Sequence, residues 1–273
     1  MEITNNQMLP SPLPELAALS CHTPSSAFRC TELIAPPMIR KLLVEMWDQL
    51  KVDAEDFLPS QLGTAWHTYL SGYKLDGVLQ EIRLKMEIDG VPVTGGIDWF
   101  HIQSGWLNDW KTSSTGVWIF GHDEWVSQLN VYAELLRRAG YTVERLTDTI
   151  LFQGWTSTEA SRKSVEDYPP KRLMIIEQSL WSSEQTLAFI RSRLDAHALC
   201  VPCTEEERWG RGGTFAITKP GAARAIRVLP TLSEARDYCH MAKINMSWIV
   251  ERPKTYIRCE KFCPVRSVCP ILK

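Results

Sequence analysis

Residues 95–111 constrain the fold of this chain more than any other stretch, because charged side chains flank a tight turn between two short strands. The sequence there is Gly-Gly-Ile-Asp-Trp-Phe-His-Ile-Gln-Ser-Gly-Trp-Leu-Asn-Asp-Trp-Lys, with the turn at 103–105. Side chains alternate between the two faces of a strand, so Asp109 and Lys111 must point the same way. Asp98 lies on the strand before the turn, and we expect the two carboxylates to converge across the strand pair.

This arrangement has two interpretations. Mg²⁺ binds oxygen ligands and often needs only one or two carboxylates beside its waters, so Asp98 and Asp109 could hold such an ion. Lys111 would then orient or deprotonate a water molecule, or stabilise charge on a phosphate group. Gly95 and Gly96 would let another backbone approach the strand that carries Asp98. Alternatively, the hairpin is exposed and its Asp and Lys form a surface ion pair worth about 0–1 kcal/mol.

The flanking sequence predicts an α/β fold with a mixed sheet. Asp89-Gly90 is a strong hairpin signal, and the pattern around it is typical of a three-stranded antiparallel meander. In the helix before the meander, the apolar stripe of Leu62, Trp66, Tyr69 and Leu70 is expected to be buried. The predicted helices are 38–50, 61–73, 123–139 and 182–197, and the predicted strands are 78–88, 91–101, 105–112, 149–155 and 172–181.

Length and composition restrict the class of protein. A chain of 273 residues with 44% apolar and 23% charged residues is ordinary for a globular protein. No apolar run approaches the roughly 20 residues that span a bilayer, and the first residues lack the pattern of a secretory signal. We therefore expect a cytoplasmic protein without membrane contact. The net charge of −2 gives no overall sign of a polyanionic partner.

Three regions are expected along the chain. Residues 1–26 are rich in Pro, Ser and Asn and predict a loosely ordered leader. Residues 27–200 contain the predicted sheet and helices and form the core. Residues 201–273 form a C-terminal extension that completes the domain and carries five of the eight cysteines.

Six short motifs follow one another in a fixed order around the hairpin. They are Leu-Gly-Thr-Ala-Trp-His ending at His67, Gln-Glu-Ile-Arg-Leu around Glu81, Gly-Gly-Ile-Asp ending at Asp98, Asn-Asp-Trp-Lys ending at Lys111, and then Gln128 and Tyr132. The set resembles the PD-(D/E)XK nuclease superfamily. Within it, the resemblance is to the RecB-like branch, which includes helicase-linked exonucleases, CRISPR adaptation nucleases and phage recombination exonucleases. It covers residues 63–132 and implies a restriction-endonuclease-like core.

The resemblance implies roles for the central residues. Asp98 and Asp109 would bind a Mg²⁺ or Mn²⁺ ion, and His67 would be a further ligand from the preceding helix. Lys111 would be the catalytic lysine.

The outer motifs would complete this site. Glu81 would act in catalysis by binding a second metal ion or holding water. Gln128 and Tyr132 lie one helical turn apart, and the resemblance implies that they contact DNA or brace the site.

Cysteines crowd the end of the chain as C-x3-C-x5-C over Cys259, Cys263 and Cys269. In a reducing compartment such cysteines favour metal binding over disulfides, and both zinc and iron–sulfur sites normally want four ligands. RecB-like nucleases often carry a [4Fe–4S] cluster on three C-terminal cysteines and one distant partner, which the resemblance implies here, with zinc as the alternative. The fourth ligand is expected to be Cys203, or else Cys30.

Together these features predict a Mg²⁺- or Mn²⁺-dependent deoxyribonuclease that hydrolyses phosphodiester bonds. The first expectation is a phage-type exonuclease of DNA recombination or repair, with DNA and a recombination or single-strand-annealing protein as partners. A structure-specific or nicking endonuclease with the same site is the alternative, and a non-catalytic DNA-binding module on the same fold is the second. The sequence contains no Walker A motif and hence no motor of that kind.

Overall fold

The computed structural model of the protein describes residues 1–21, 23–121 and 123–272. The chain divides into two compact units, Met1–Pro202 (unit 1) and Cys203–Lys273 (unit 2). The sequence predicted the boundary between the core and the C-terminal extension at residues 200 and 201. Within the described ranges, no helix is both long enough and apolar enough to cross a membrane.

Strands and helices are interspersed along unit 1. The strands are β1 (Glu2–Thr4), β2 (Phe28–Arg29), β3 (Lys51–Asp53), β4 (Val78–Ile88), β5 (Val91–His101), β6 (Trp106–Ser114), β7 (Arg145–Gln153) and β8 (Leu173–Gln178). The helices are α1 (Leu13–Ser20), α2 (Cys30–Ile34), α3 (Pro37–Glu45), α4 (Leu58–Ser71), α5 (Gly116–Phe120), α6 (Asp123–Arg138), α7 (Ser157–Arg162) and α8 (Ser183–Ala198).

Six of these strands form one sheet in the order β2-β5-β6-β7-β8, with β4 also paired to β5. Strands β4, β5 and β6 are antiparallel neighbours, as the meander predicted. Strand β7 lies parallel to β6, with α6 in the connection, and β8 is antiparallel to β7. The sheet is therefore mixed, and the predicted mixed α/β class is confirmed.

The β4–β5 hairpin sets the register of the meander. Asp89 and Gly90 have φ angles of 51° and 81°, which a two-residue type I′ turn requires at both positions. Ile88 therefore pairs with Val91, and the register continues along both strands to Val78 and His101.

Helix α6 packs closely on the sheet. Its residues 128–136 are all buried, and Leu129 and Leu136 belong to the core of unit 1. Gly95 on β5 makes this approach possible, because a Cβ there would meet Leu135 Cδ1 at 2.6 Å and the Tyr132 ring at 2.8 Å. The close approach expected at Gly95 is thus that of a helix, whereas a Cβ at Gly96 would meet nothing within 4 Å.

Two regions differ from the prediction. The loosely ordered leader contains regular structure, because β1 pairs with β3 and α1 precedes residue 21. The predicted buried stripe of α4 is wrong as well: Leu62 is 52% exposed and Tyr69 is 76% exposed. Apolar periodicity identified the helix, but it carried no information on how much of its apolar side another element covers.

The described part of unit 2 contains two small sheets, one α-helix, a 3₁₀ turn at Met246–Trp248 and a π-helical turn at Arg258–Phe262. Strands β10 (Thr214–Ile217), β11 (Arg227–Leu229) and β12 (Ile249–Arg252) form the order β11-β10-β12, and β9 (Gly210–Arg211) pairs with β13 (Thr255–Tyr256). Helix α9 (Leu232–Ala242) begins at a Thr231–Glu234 capping box and buries Ala235 and Cys239.

Candidate functional site

Three side chains with metal-binding atoms converge in unit 1. His67 projects from α4, Glu81 from β4 and Asp98 from β5, and one ligand atom of each lies within 4.8 Å of the other two. His67 Nδ1 is 3.4 Å from Glu81 Oε1 and 3.5 Å from Asp98 Oδ1. Nowhere else in the described ranges do three His, Cys, Asp or Glu side chains come this close together.

The backbone around Glu81 departs from regular strand geometry. Glu81 lies opposite Asp98 across the β4–β5 pair. The neighbouring residues on both sides are paired across the two strands, but Glu81 and Asp98 are not. Glu81 has a φ of 51°, in the left-handed region that glutamate rarely adopts. Such conformations cost about 1–3 kcal/mol and cluster at functional sites.

The bonds of His67 fix which nitrogen faces the carboxylates. Nε2 donates to the carbonyl of Trp110 at 2.9 Å, so Nδ1 points at Glu81 and Asp98. Hydrogen bonding to Asp98 outweighs burial and raises the pKa of His67 to about 9. Burial also raises the pKa of Glu81, with Asp98 adding to the effect and His67 opposing it. A proton on Nδ1 thus occupies the position from which the neutral imidazole would bind a cation.

A second polar group lies on β6 and α6. Lys111 Nζ is 2.5 Å from Asp109 Oδ2 and donates to Gln128 Oε1 at 2.9 Å. The Gln128 amide donates to Asp109 Oδ1 at 3.3 Å and to the Tyr132 hydroxyl at 2.8 Å. Gln128 and Tyr132 are only 9% and 6% exposed. Both side chains are thus buried beside Asp109 and Lys111.

Asp148 belongs to this polar group but was missed in the sequence. It pairs with Asp109 in the β6–β7 register and is fully buried. Gln178 donates to its Oδ2 at 2.6 Å, while no described residue bonds to its Oδ1. Its signal in the sequence was an aspartate within an apolar strand, but only the parallel pairing of β7 with β6 brings it beside Asp109.

Burial and charge oppose each other in this group. Burial raises the pKa of Asp109, and the Lys111 ammonium acts against that rise. Burial alone would lower the pKa of Lys111, but Asp109 and Asp148 more than offset it, so the pKa of Lys111 is raised. Lys111 is therefore a cation at neutral pH, suited to stabilise negative charge rather than to accept a proton.

A groove of about 410 Å³ leads to the first group of residues. Its walls are His67, Glu81 and the small residues Ser60, Gly63, Thr64, Thr68 and Ser71. Helix α4 contains no Asp, Glu, Lys or Arg, so His67 and Glu81 are the titratable groups of this wall. The groove gives a ligand access to His67 and Glu81.

The four expected cluster cysteines all belong to unit 2. Burial raises the pKa of Cys203 to about 11, and Glu207, Cys263, Cys269 and Cys259 add to the rise, as charges close to its thiol. No three described thiols lie within 4.8 Å of one another.

Cys30, the second choice for the fourth ligand, lies in the core of unit 1 at 1% exposure. Its thiol donates to the carbonyl of Gln128 at 3.7 Å.

The predicted residues thus form two neighbouring groups rather than one. His67, Glu81 and Asp98 converge as a potential metal site. Asp109 and Lys111 share a face of β6 as predicted, but Asp109 uses its two oxygens for Lys111 and Gln128. The groups are linked through Trp110, whose backbone N–H donates to Asp98 Oδ2 at 2.9 Å.

Comparisons with known proteins add little to this description. No family model matches the chain, and no curated protein matches it. One solved structure that is similar, the crystal structure of SSO0001, has a TM-score of 0.48 at 12% sequence identity, over 94% of this chain and 91% of that one.

Proposed function

We propose that this protein is a metal-dependent deoxyribonuclease with a PD-(D/E)XK core, an exonuclease that hydrolyses phosphodiester bonds in DNA recombination or repair. One observation carries the proposal: a cluster of an imidazole and two carboxylates lies beside a buried lysine, with Asp98 bonded to the residue before that lysine. Metal ligands and a fixed cation are the two parts that phosphodiester hydrolysis needs most.

The donor set suits a small divalent cation. Glu81 and Asp98 offer oxygen ligands of the kind that Mg²⁺ and Mn²⁺ prefer. His67 adds one nitrogen, held in the required tautomer by the Trp110 carbonyl, and Mn²⁺ should accept it more readily than Mg²⁺. When bound, the ion would activate a water molecule and stabilise charge on the phosphate.

Asp109 remains a proposed further ligand. Its oxygens contact Lys111 and Gln128, so a cation would compete with these two donors for the carboxylate. Its raised pKa makes the competition stronger at lower pH, because protonation removes the charge that a cation needs.

Lys111 is proposed to stabilise the negative charge that develops on the phosphate. Gln128 fixes the direction of its ammonium group, and Asp109 and Asp148 keep it protonated. Removal of one such preorganised donor typically costs about 100- to 1,000-fold in rate.

The cysteines of unit 2 are proposed to hold a [4Fe–4S] cluster with a structural role. The four thiols lie near one another, because the charges of Cys263, Cys269 and Cys259 act on the Cys203 thiol and add to the rise of its pKa. Metal–thiolate bonds would stabilise a terminus that has little apolar core of its own.

A cleavage assay tests the enzymatic proposal. Labelled linear and circular DNA would be incubated with the wild type, Asp98→Asn and, as a matched control, Asp195→Asn on the exposed side of α8, with Mg²⁺, Mn²⁺ or neither. We expect metal-dependent loss of linear DNA only, with Asp98→Asn inactive and the control unchanged. Cleavage of intact circles would favour the endonuclease, and full activity of folded Asp98→Asn would rule out the site.

Elemental analysis tests the cluster. The wild type should contain iron and sulfide and should be brown. Cys203→Ser should lose them, and Cys200→Ser should keep them, since the Cys200 thiol donates to the His197 carbonyl. Stoichiometric zinc in place of iron would overturn the cluster assignment.

A further inference from the structure

The two units differ strongly in charge. Unit 2 has 13 Lys and Arg against 7 Asp and Glu, a formal charge of +6, whereas unit 1 has 17 against 25, a charge of −8. The overall charge of −2 conceals this difference. A polyanion would be repelled by most of unit 1 and attracted by unit 2.

Within unit 2, the segment around the β10–β11 hairpin carries basic residues and no acidic ones. Residues 208–233 include five arginines and lysines and no aspartate or glutamate. The backbone N–H of Ile226 donates to the carbonyl of Ile217 at 2.7 Å and closes the hairpin. The loop beyond this bond, 218–225, carries Lys219 and Arg224, both exposed.

The loop is built for close contact. Ala222 donates to the Lys219 carbonyl, and Gly221 has a φ of 79°, so the loop turns sharply. Its remaining residues are small, with Ala222 and Ala223 exposed at the tip.

Three of the seven carboxylates of unit 2 have partners away from the loop. Glu205 pairs with Lys254, Glu234 caps α9, and Glu260 accepts from the backbone of Tyr256. Among the described residues, none has a carboxylate oxygen within 4 Å of the charged nitrogens of Lys219 or Arg224. Two exposed cations without acidic partners therefore project from one hairpin.

We infer that the β10–β11 hairpin is a nucleic-acid contact, with Lys219 and Arg224 binding phosphates of the substrate backbone. The inference rests on the proposed function for the class of ligand. It adds the surface of unit 2 through which that ligand is held. Contacts of this kind fix position on the backbone and do not read sequence.

Salt dependence of binding tests the inference. Binding of a labelled DNA duplex with a single-stranded end would be measured without divalent metal, between low and moderate salt, for the full chain and for Lys219→Gln/Arg224→Gln. Each phosphate contact contributes about 0.9 to the slope of log affinity against log salt. We expect the double variant to lower the magnitude of that slope by roughly 1.8 and to bind more weakly, at an unchanged melting temperature.

A matched control separates a specific contact from the general loss of charge. Lys41→Gln/Lys51→Gln removes the same two charges from unit 1, where these lysines pair with Glu45 and Glu2. This control should keep the wild-type slope. An equal change in both double variants, or no change in the hairpin variant, would overturn the inference. So would hairpin-dependent binding to anionic vesicles with DNA binding unaffected.

These experiments distinguish a failure of the inference from a failure of the proposed function. If the wild type cleaves DNA while the hairpin variant binds and cleaves equally well, the inference fails and the nuclease stands. If hairpin-dependent binding occurs but no divalent metal supports cleavage, the nuclease fails and the inference stands.

Discussion

Helices α4 and α6 both bring residues to the candidate site, yet they are packed in opposite ways. Nine consecutive residues of α6 are buried, whereas α4 has no buried residue. Helix α6 supplies a rigid support, through which Gln128 holds Lys111 and Asp109. Helix α4 reaches the site through His67, which bonds to the Trp110 carbonyl and pairs with Asp98. One side of the site is therefore embedded in the core, and the other lies on a helix without buried residues.

The largest effect is expected on the side supported by α6. Lys111→Gln should reduce the cleavage rate about 100- to 1,000-fold, because it removes a preorganised cation but keeps a polar partner for Asp109. Rates with Mn²⁺ would be measured beside Lys163→Gln, an exposed lysine paired with Glu159. If the two variants lose the same small amount of activity, Lys111 has no catalytic role.

A smaller effect is expected from Asp148. Asp148→Asn keeps a polar partner for Gln178 but removes a buried charge that supports Lys111. Groups that orient site residues typically contribute about 10- to 100-fold. Activity should fall by that factor while the melting temperature stays the same or rises, since an unpaired carboxylate oxygen is no longer buried. A drop in stability with full specific activity would make Asp148 merely structural.

Paired glycine substitutions compare the packing of the two helices. Gly95→Ala would bring a methyl group within 2.6 Å of Leu135 Cδ1, and overpacking of this kind costs about 1–3 kcal/mol of unfolding free energy. Gly63→Ala meets only Thr112 Oγ1 at 3.3 Å and gains about 1 kcal/mol of helix propensity, so it should be close to neutral. Urea unfolding checks both, and equal destabilisation would contradict the contrast between the helices.

The smallest effect concerns pH. Because the pKa of His67 is raised to about 9, its bonds stabilise the metal-free protein below pH 6.5, and this stability is lost as the pH rises through about 9. Bound Mn²⁺ displaces the proton, so calorimetry in buffers of different ionisation enthalpy should show about one proton released per ion at pH 7.5. His67→Gln should release none, and release of no proton by the wild type would exclude His67 as a ligand.

Much of the fold was accessible from the sequence. The Asp89-Gly90 turn and the alternation around it predicted the β4–β5–β6 meander, since short-range turn chemistry sets register. Helical spacing located α4 and α6, and the capping box of Ser182 and Gln185 located α8. The packing of α4 was not predictable, because burial depends on which other elements cover a helix face.

The candidate site also has one part that the sequence predicted and another that it did not. Strand alternation was enough to place Asp109 and Lys111 on one face, and the ordered motifs added His67, Glu81 and Asp98. What the sequence by itself determined is the set of reactive groups and their faces, because both follow from local periodicity. Only the tertiary structure decided that His67, Glu81 and Asp98 form one group while Asp109 turns to Lys111 and Gln128. Apart from the Asp109–Lys111 pair, those contacts join different strands and helices, and they depend on the interrupted pair at Glu81 and on the approach of α6 over Gly95.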